Sequence, residues 1–291
     1  MKEEGKALVF FLIYVIGSVP LNFFVKDLLE YFSIGFSLFI RFIIMLLFTI
    51  LFSKKIILNK NIAVLSFFVF LSTTLWLYSL IYLSPADSLV LSYSMPLIAS
   101  LIGRRILNEK SGEIYGVLVA FLGYIAYSYN LMKGFTLYGT VLSFINAFAW
   151  AYYSVLYRKL RTFDVFVLNS SVFLICSLFS LAVLPLYQPI IKAGADDNVF
   201  ADVIWFATIG GAIQFLSWNR VLSIWSASKA TVLSYIVPIL TFIIQCFSNK
   251  ESPSLLQVIG IALITIGVIL TFRNELKNHS NSSLSDESIS L

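Results

Sequence analysis

Charge is what this chain lacks most. Only 12% of its 291 residues are Asp, Glu, Lys or Arg, against 59% hydrophobic residues, and its mean hydropathy is +0.91. A soluble domain carries about 25% charged residues. Half that density cannot cover a water-exposed surface of this size, which argues against a soluble enzyme and against a disordered chain. Histidine is almost missing: the single one, His279, falls in a polar C-terminal stretch. Cysteine amounts to Cys176 and Cys246, each inside a long apolar run. Ligands this sparse do not make a zinc site, a disulfide framework or a histidine-based catalytic centre, so no metal and no cofactor is expected. Carboxylates are absent where they would matter most. The 15 acidic residues stay away from the middles of the apolar runs, and Asp87 and Asp202 stand near their ends.

What is present is a series of apolar segments. A membrane-crossing helix needs about 20 mostly apolar residues, and ten stretches qualify between charged or turn-forming breaks: 7–25, 34–52, 62–83, 88–107, 114–131, 137–157, 165–186, 199–222, 230–247 and 255–272. No short alternating segments of barrel type occur. The expected fold class is therefore an all-α polytopic membrane protein with ten transmembrane helices. The first segment has too long an apolar core and no small-x-small site after it, so it reads as a retained helix rather than a cleaved signal. Residues 275–291 are rich in Ser and Asn and read as a disordered tail. With the N-terminus placed in the cytoplasm, fifteen of the 20 basic residues fall on the cytoplasmic side and four opposite, with Arg41 inside a span. This bias predicts that both termini are cytoplasmic. The net charge of +5 is thus a topology signal rather than a nucleic-acid footprint.

The chain also repeats itself. Val90-Leu91-Ser92-Tyr93-x-x-Pro96 recurs as Val232-Leu233-Ser234-Tyr235-x-x-Pro238, an offset of 142 residues. The same offset pairs Trp76 with Trp218, Leu80 with Leu222, Ser84 with Ser226 and Glu109 with Glu251. After a two-residue insertion, Gly116 pairs with Gly260 and Gly123 with Gly267. Each copy holds five spans, an odd number, so the second copy enters the membrane inverted. Inverted repeats are a common architecture of secondary transporters. The predicted division is 1–134 and 135–274, followed by the tail 275–291.

On these residues the chain resembles the drug/metabolite transporter superfamily, specifically its ten-helix EamA-type members. The resemblance rests on the five-plus-five layout and on the series Ser84-Pro85-Ala86-Asp87, Pro96, Asn108-Glu109, Gly116 and Gly123, echoed by Ser226-Ala227-Ser228, Pro238, Glu251, Gly260 and Gly267. Arg41 also looks like the family pattern. The resemblance implies a central cavity lined mainly by the first, third, fourth, sixth, eighth and ninth spans, with alternating access.

Several residues are candidates for lining such a cavity. Arg41 lies about seven residues inside its span, or roughly 10 Å along the helix. A charge there is costly and faces protein or water, so it reads either as an anion or carboxylate contact or a gate, or as a long side chain that snorkels outward or binds helix carbonyls. Asn22, Asn146, Gln214 and Asn219 supply amides, and Trp76, Tyr78, Trp150 and Trp218 supply rings suited to stacking. Ser92, Tyr93, Ser234 and Tyr235 lie one turn before Pro96 and Pro238, which read as helix hinges because proline removes a helical donor. Glu109 and Glu251 read as capping or salt-bridge residues at the membrane edges, and the paired glycines as packing sites.

The expected function is secondary transport of a small polar organic metabolite such as an amino acid or derivative. S-adenosylmethionine, nucleotide sugars and drugs are alternatives within the superfamily, and a membrane-embedded structural or lipid-handling protein is an alternative of another class. Proton coupling of the small-multidrug type needs a buried carboxylate and is disfavoured. The expected partners are a small-molecule substrate and the lipid bilayer, with no nucleic acid; a homodimer stays open.

Overall fold

A computed structural model describes residues 2–108, 113–129, 136–186, 197–249 and 253–287. Glu109 and Glu251 lie outside the described residues, as do Lys110, Lys133, Lys192 and Lys250. Among the described residues the elements are all helical, with no strand. The order is α1 (Lys2–Ser18), α2 (Leu21–Tyr31), α3 (Ile34–Ile50), α4 (Lys60–Tyr82), α5 (Pro85–Ser92), α6 (Met95–Leu107), α7 (Glu113–Ser128), α8 (Leu137–Lys159), α9 (Val165–Val183), α10 (Asp197–Ile204), a π-helical stretch (Trp205–Ile213), α11 (Gln214–Ile224), α12 (Ala227–Leu233), α13 (Ile236–Asn249) and α14 (Leu255–Glu287).

Six stretches are long and apolar enough to cross a membrane: Glu3–Tyr31, Lys60–Tyr82, Leu137–Lys159, Val165–Leu186, Val199–Ile224 and Ala227–Ile244. Ile34–Ile50, Ile114–Ser128 and Leu255–Thr271 are shorter apolar helices. The chain is a multi-pass integral membrane protein. Large apolar side chains such as Leu12, Ile16, Phe148 and Ile259 are exposed, as lipid-facing residues are.

Local chemistry explains where the helices start and break. Pro20 separates α1 from α2 within one stretch, and its carbonyl accepts from Phe23 N–H at 3.1 Å. The sequence predicts a single span over 7–25 across this break. Pro96 is the second residue of α6 and Pro238 the third of α13. Both prolines therefore sit in first turns, where the missing N–H would have had no intrahelical partner anyway. The chain breaks just ahead of them, at Tyr93-Ser94 and at Ser234-Tyr235. Ser84 caps α5 by accepting from Asp87 N–H at 3.1 Å, and Ser226 caps α12 by accepting from Lys229 N–H at 3.1 Å. These caps occupy equivalent positions of the repeat.

The last helix differs from expectation. It runs on to Glu287, through the segment read as disordered. No glycine or proline follows Gly267, so no residue type there stops a helix.

Asp164 caps α9 with one carboxylate oxygen that accepts from Phe166 N–H at 2.9 Å and Val167 N–H at 3.1 Å. Helix ends leave backbone donors that water or a cap must satisfy. Asp164→Ala is therefore expected to lower unfolding stability by about 1 kcal/mol, read from thermal unfolding of the detergent-purified protein.

The helices pair in a definite pattern. α7 packs along α14, α3 along α9, α4 along α8 and α1 along α11. The α7–α14 pair is the closest. A Cβ placed on Gly123 would lie 2.6 Å from Ile264 N and 2.8 Å from Gly260 O. A Cβ on Gly267 would lie 2.7 Å from the Ala120 Cα. Small residues let membrane helices approach backbone to backbone.

Candidate functional site

Between α1, α4, α5, α8 and α11 the polar residues gather around one cavity of about 100 Å³. Of the residues singled out in the sequence, Asn22, Arg41, Trp76, Ser92, Tyr93, Asn146, Trp150 and Gln214 line it. Tyr14, Ser18, Leu21, Ser72, Thr73, Leu89, Met95, Phe215 and Val237 line it as well, and none of these was singled out.

Arg41 projects from the middle of α3 and is 2% exposed. Its Nη1 donates to Phe206 O and its Nη2 to Gly210 O at 2.9 Å. Both carbonyls belong to the π-helical stretch. Such wide turns inside α-helices often mark functional sites. Gly210 and Gly211 keep this approach open: a Cβ on Gly211 would lie 2.8 Å from Phe206 O and 3.3 Å from Met45 Cγ. Rings surround the guanidinium, with its carbon 4.4 Å from the Phe206 centroid, 5.5 Å from Trp76 and 5.9 Å from Phe215. Aromatic faces and carbonyls partly offset a buried cation. The Lys6–Glu3 and Lys229–Glu4 ion pairs do not involve Arg41.

The other polar groups of the lining hold one another. Trp76 Nε1 donates to Asn22 Oδ1 at 2.8 Å. Ser72 donates to Asn146 Oδ1 at 2.6 Å, and Asn146 Nδ2 donates to Ser92 at 3.0 Å. Gln214 Nε2 donates to Ser18 at 2.9 Å, and Ser18 donates to Tyr14 O at 2.7 Å. Among the fully buried side-chain atoms of the lining, Arg41 Nε and Gln214 Oε1 have no partner.

The remaining sequence candidates stand outside the lining. Trp218 is fully buried, stacked obliquely on Tyr14 at 4.7 Å, and donates to Ser154 Oγ at 3.3 Å. Asn219 bridges Tyr153 OH at 2.5 Å and Asn169 Oδ1 at 2.7 Å. Ser234 donates to Thr231 O at 2.6 Å, and the Tyr235 ring lies 4.9 Å from that of Tyr124. Tyr78 is half-buried against the apolar core. The Pro238 carbonyl accepts from Tyr127 OH at 2.9 Å.

The lining has an internal order. Ser72 and Gln214, Thr73 and Phe215, and Met95 and Val237 are all pairs of the 142-residue repeat, and both members of each line the cavity. Between α1 and α8 the separation is 132 residues, which pairs Tyr14 with Asn146 and Ser18 with Trp150, again all in the lining. The offset of 142 does not relate these last two pairs, and neither pair shares a residue type, so the sequence carries no signal for them.

Comparison with known proteins gives the family and the fold. Residues 137–273 match the model of the EamA-like transporter family. An uncharacterized transporter from the sor 3' region of Acidianus ambivalens is 37% identical over 248 residues, covering 84% of this chain and 96% of that protein. The uncharacterized transporter YyaM of Bacillus subtilis (strain 168) is 26% identical over 204 residues, 67% of each chain. A crystal structure with 18% identity superposes with a TM-score of 0.72, covering 92% of this chain and 98% of the other, and so shares the fold.

Proposed function

Because the chain belongs to the EamA-like transporter family, we propose that it is a secondary transporter that carries a small polar organic metabolite across the membrane by alternating access. The observation that carries this reading is the cavity itself, lined by five residue pairs drawn from equivalent positions of the two halves of the chain.

The packing supports a reading as two inverted five-span repeats, 1–134 and 135–274. The first span of each half lies against the third of the other, α1 on α11 and α8 on α4. The second spans pair with each other, α3 on α9, and so do the fifth, α7 on α14. Counting α1–α2, α5–α6, α10–α11 and α12–α13 as one interrupted span each gives ten. The basic-residue bias places both termini in the cytoplasm, with the cell membrane as the site of action.

The cavity favours one half. Leu21, Asn22, Trp76, Leu89, Ser92 and Tyr93 line it, whereas their counterparts Tyr153, Ser154, Trp218, Thr231, Ser234 and Tyr235 do not. Exchange of conformation between the halves would reverse these roles. On this reading Trp218, Ser234 and Tyr235 are cavity residues of the opposite state, and Pro96 and Pro238 mark the breaks about which each half bends. A cavity of about 100 Å³ suits a small metabolite of about amino-acid size better than S-adenosylmethionine, a nucleotide sugar or a typical drug.

Reconstitution tests the reading. Proteoliposomes are expected to show saturable flux of a small metabolite, and Arg41→Ala to reduce it at least about tenfold, the loss of a charge-assisted contact, while the variant still elutes as folded protein. No saturable flux of any small metabolite in the wild type would refute transport.

A further inference from the structure

The cavity lining contains one charged residue. Arg41 carries it, and among the described residues no Asp or Glu lines the same space. The guanidinium keeps its charge in proteins, and the two carbonyls and three rings around it supply dipoles but no counter-charge. A buried cation without a counter-charge favours a ligand that brings one.

Two polar atoms await a partner there. Arg41 Nε–H is a donor with nothing to bond to, and Gln214 Oε1 is an acceptor in the same condition. Both side chains are more than nine-tenths buried, at 2% and 6% exposure. Trp76–Asn22, Ser72–Asn146–Ser92 and Gln214–Ser18 bond one another, so the buried atoms of the lining left unpaired are one cationic donor and one neutral acceptor.

Resting on the reading of this cavity as a transport site, we infer that its ligand is a small hydroxy-monocarboxylate, with its carboxylate at Arg41 and its hydroxyl donating to Gln214 Oε1. One negative charge makes the occupied site neutral. A phosphate dianion would leave an excess charge inside. An α-amino acid would bring an ammonium into a space whose only charged group is another cation, with a single amide oxygen to hold it. An organic cation would meet Arg41 without compensation. Trp76 and Trp150 line the same space and offer flat apolar walls to the rest of the ligand.

The test compares ligands of one size and differing charge. L-lactate and L-alanine, then 3-phenyllactate and phenylalanine, are assayed for binding by thermal shift of the detergent-purified protein and for flux in proteoliposomes. Inorganic phosphate and choline serve as the dianion and the cation. The hydroxy acids are expected to stabilise the wild type and to compete with each other's uptake, and the amino acids to need at least about tenfold higher concentration. Arg41→Gln should abolish the shift by hydroxy acids. Gln214→Glu is the decisive variant, because it supplies the counter-charge an ammonium lacks. It should move the preference toward the amino acid of each pair.

Equal or better binding of the amino acids by the wild type would overturn the inference while leaving transport intact, as would an unchanged preference in Gln214→Glu. Binding of hydroxy acids without flux would uphold the recognition and sink the transport reading. Absence of both binding and flux for every monocarboxylate would overturn the inference as well.

Discussion

Gly260→Leu is expected to give no folded protein. A Cβ at this position would lie 2.6 Å from the Tyr127 Cα, and it is backbone, not a movable side-chain tip, that stands in the way. The facing positions are as tight: on Gly116 a Cβ would meet Thr271 N at 2.6 Å and Gly267 O at 2.7 Å. In a bilayer the lipid tails are as apolar as leucine, so helix pairs gain from close packing rather than from leaving water. Spreading α7 from α14 forfeits that packing along the whole crossing. The milder Gly123→Ala should cost about 1–3 kcal/mol, the usual penalty of overpacking. Gly5→Ala is the control, since a Cβ there meets nothing within 4 Å. Thermal unfolding in detergent, with size-exclusion elution as the check on folding, reads all three. A wild-type unfolding temperature for Gly123→Ala would refute the backbone contact.

These four glycines show what can be read from a sequence and why. Gly116 and Gly123 recur as Gly260 and Gly267, and a small residue repeated at helical spacing in an apolar run has few uses other than close approach. Ser84 and Ser226 were legible for the same reason, as equivalent positions of a repeat, but their role as helix caps comes from the structure. The membrane class followed from composition alone. Other features have no local signature. Nothing in Trp205–Ile213 except a pair of glycines marks a π-helical stretch, because that geometry answers to Arg41, which is distant in sequence. The carbonyls that Arg41 meets are 165 and 169 residues away, so residue spacing could not choose between an anion contact and a carbonyl contact. The structure shows the carbonyl contact and leaves Nε buried without a partner. Leu21, Leu89, Met95 and Val237 were invisible as lining residues, because an apolar side chain in an apolar span looks the same whether it faces lipid, core or cavity.

Trp218 and Tyr235 make a different point. Their absence from the lining does not reflect the wrong residue type, since their counterparts Trp76 and Tyr93 do line the cavity. A repeat found in the sequence names both members of a pair, whereas a single conformation uses one. On the proposed alternating-access reading, the static lining and the sequence candidates differ as two halves that exchange roles would.

Breaking one of two matched clamps is expected to shift that alternation in opposite directions. Lys26 donates to the carbonyls of Leu80 and Leu83 at the end of α4. Arg158 donates to Leu222 O at 3.0 Å and to Trp225 O at the end of α11. Leu80 with Leu222 and Leu83 with Trp225 are 142 residues apart, while Lys26 with Arg158 and Asn22 with Ser154 are 132 apart. One device thus occurs twice. A tryptophan, Trp76 or Trp218, donates to a polar residue on the neighbouring span, and a cation one turn further on ties the end of the tryptophan's own helix. Hydrogen bonds from a charged donor contribute about 1.5–3 kcal/mol each, and about 1.4 kcal/mol already moves a two-state equilibrium tenfold. Lys26→Met should loosen the half that holds Trp76 and speed maleimide labelling of a cysteine placed at Ser92. Arg158→Met should loosen the half that holds Trp218 and speed labelling at Ser234, which is fully buried here. Each variant should change its own reporter by roughly tenfold and leave the other slower or unchanged. If both variants sped labelling at both positions equally, the clamps would be mere staples of the fold, and the two halves would not exchange roles through them.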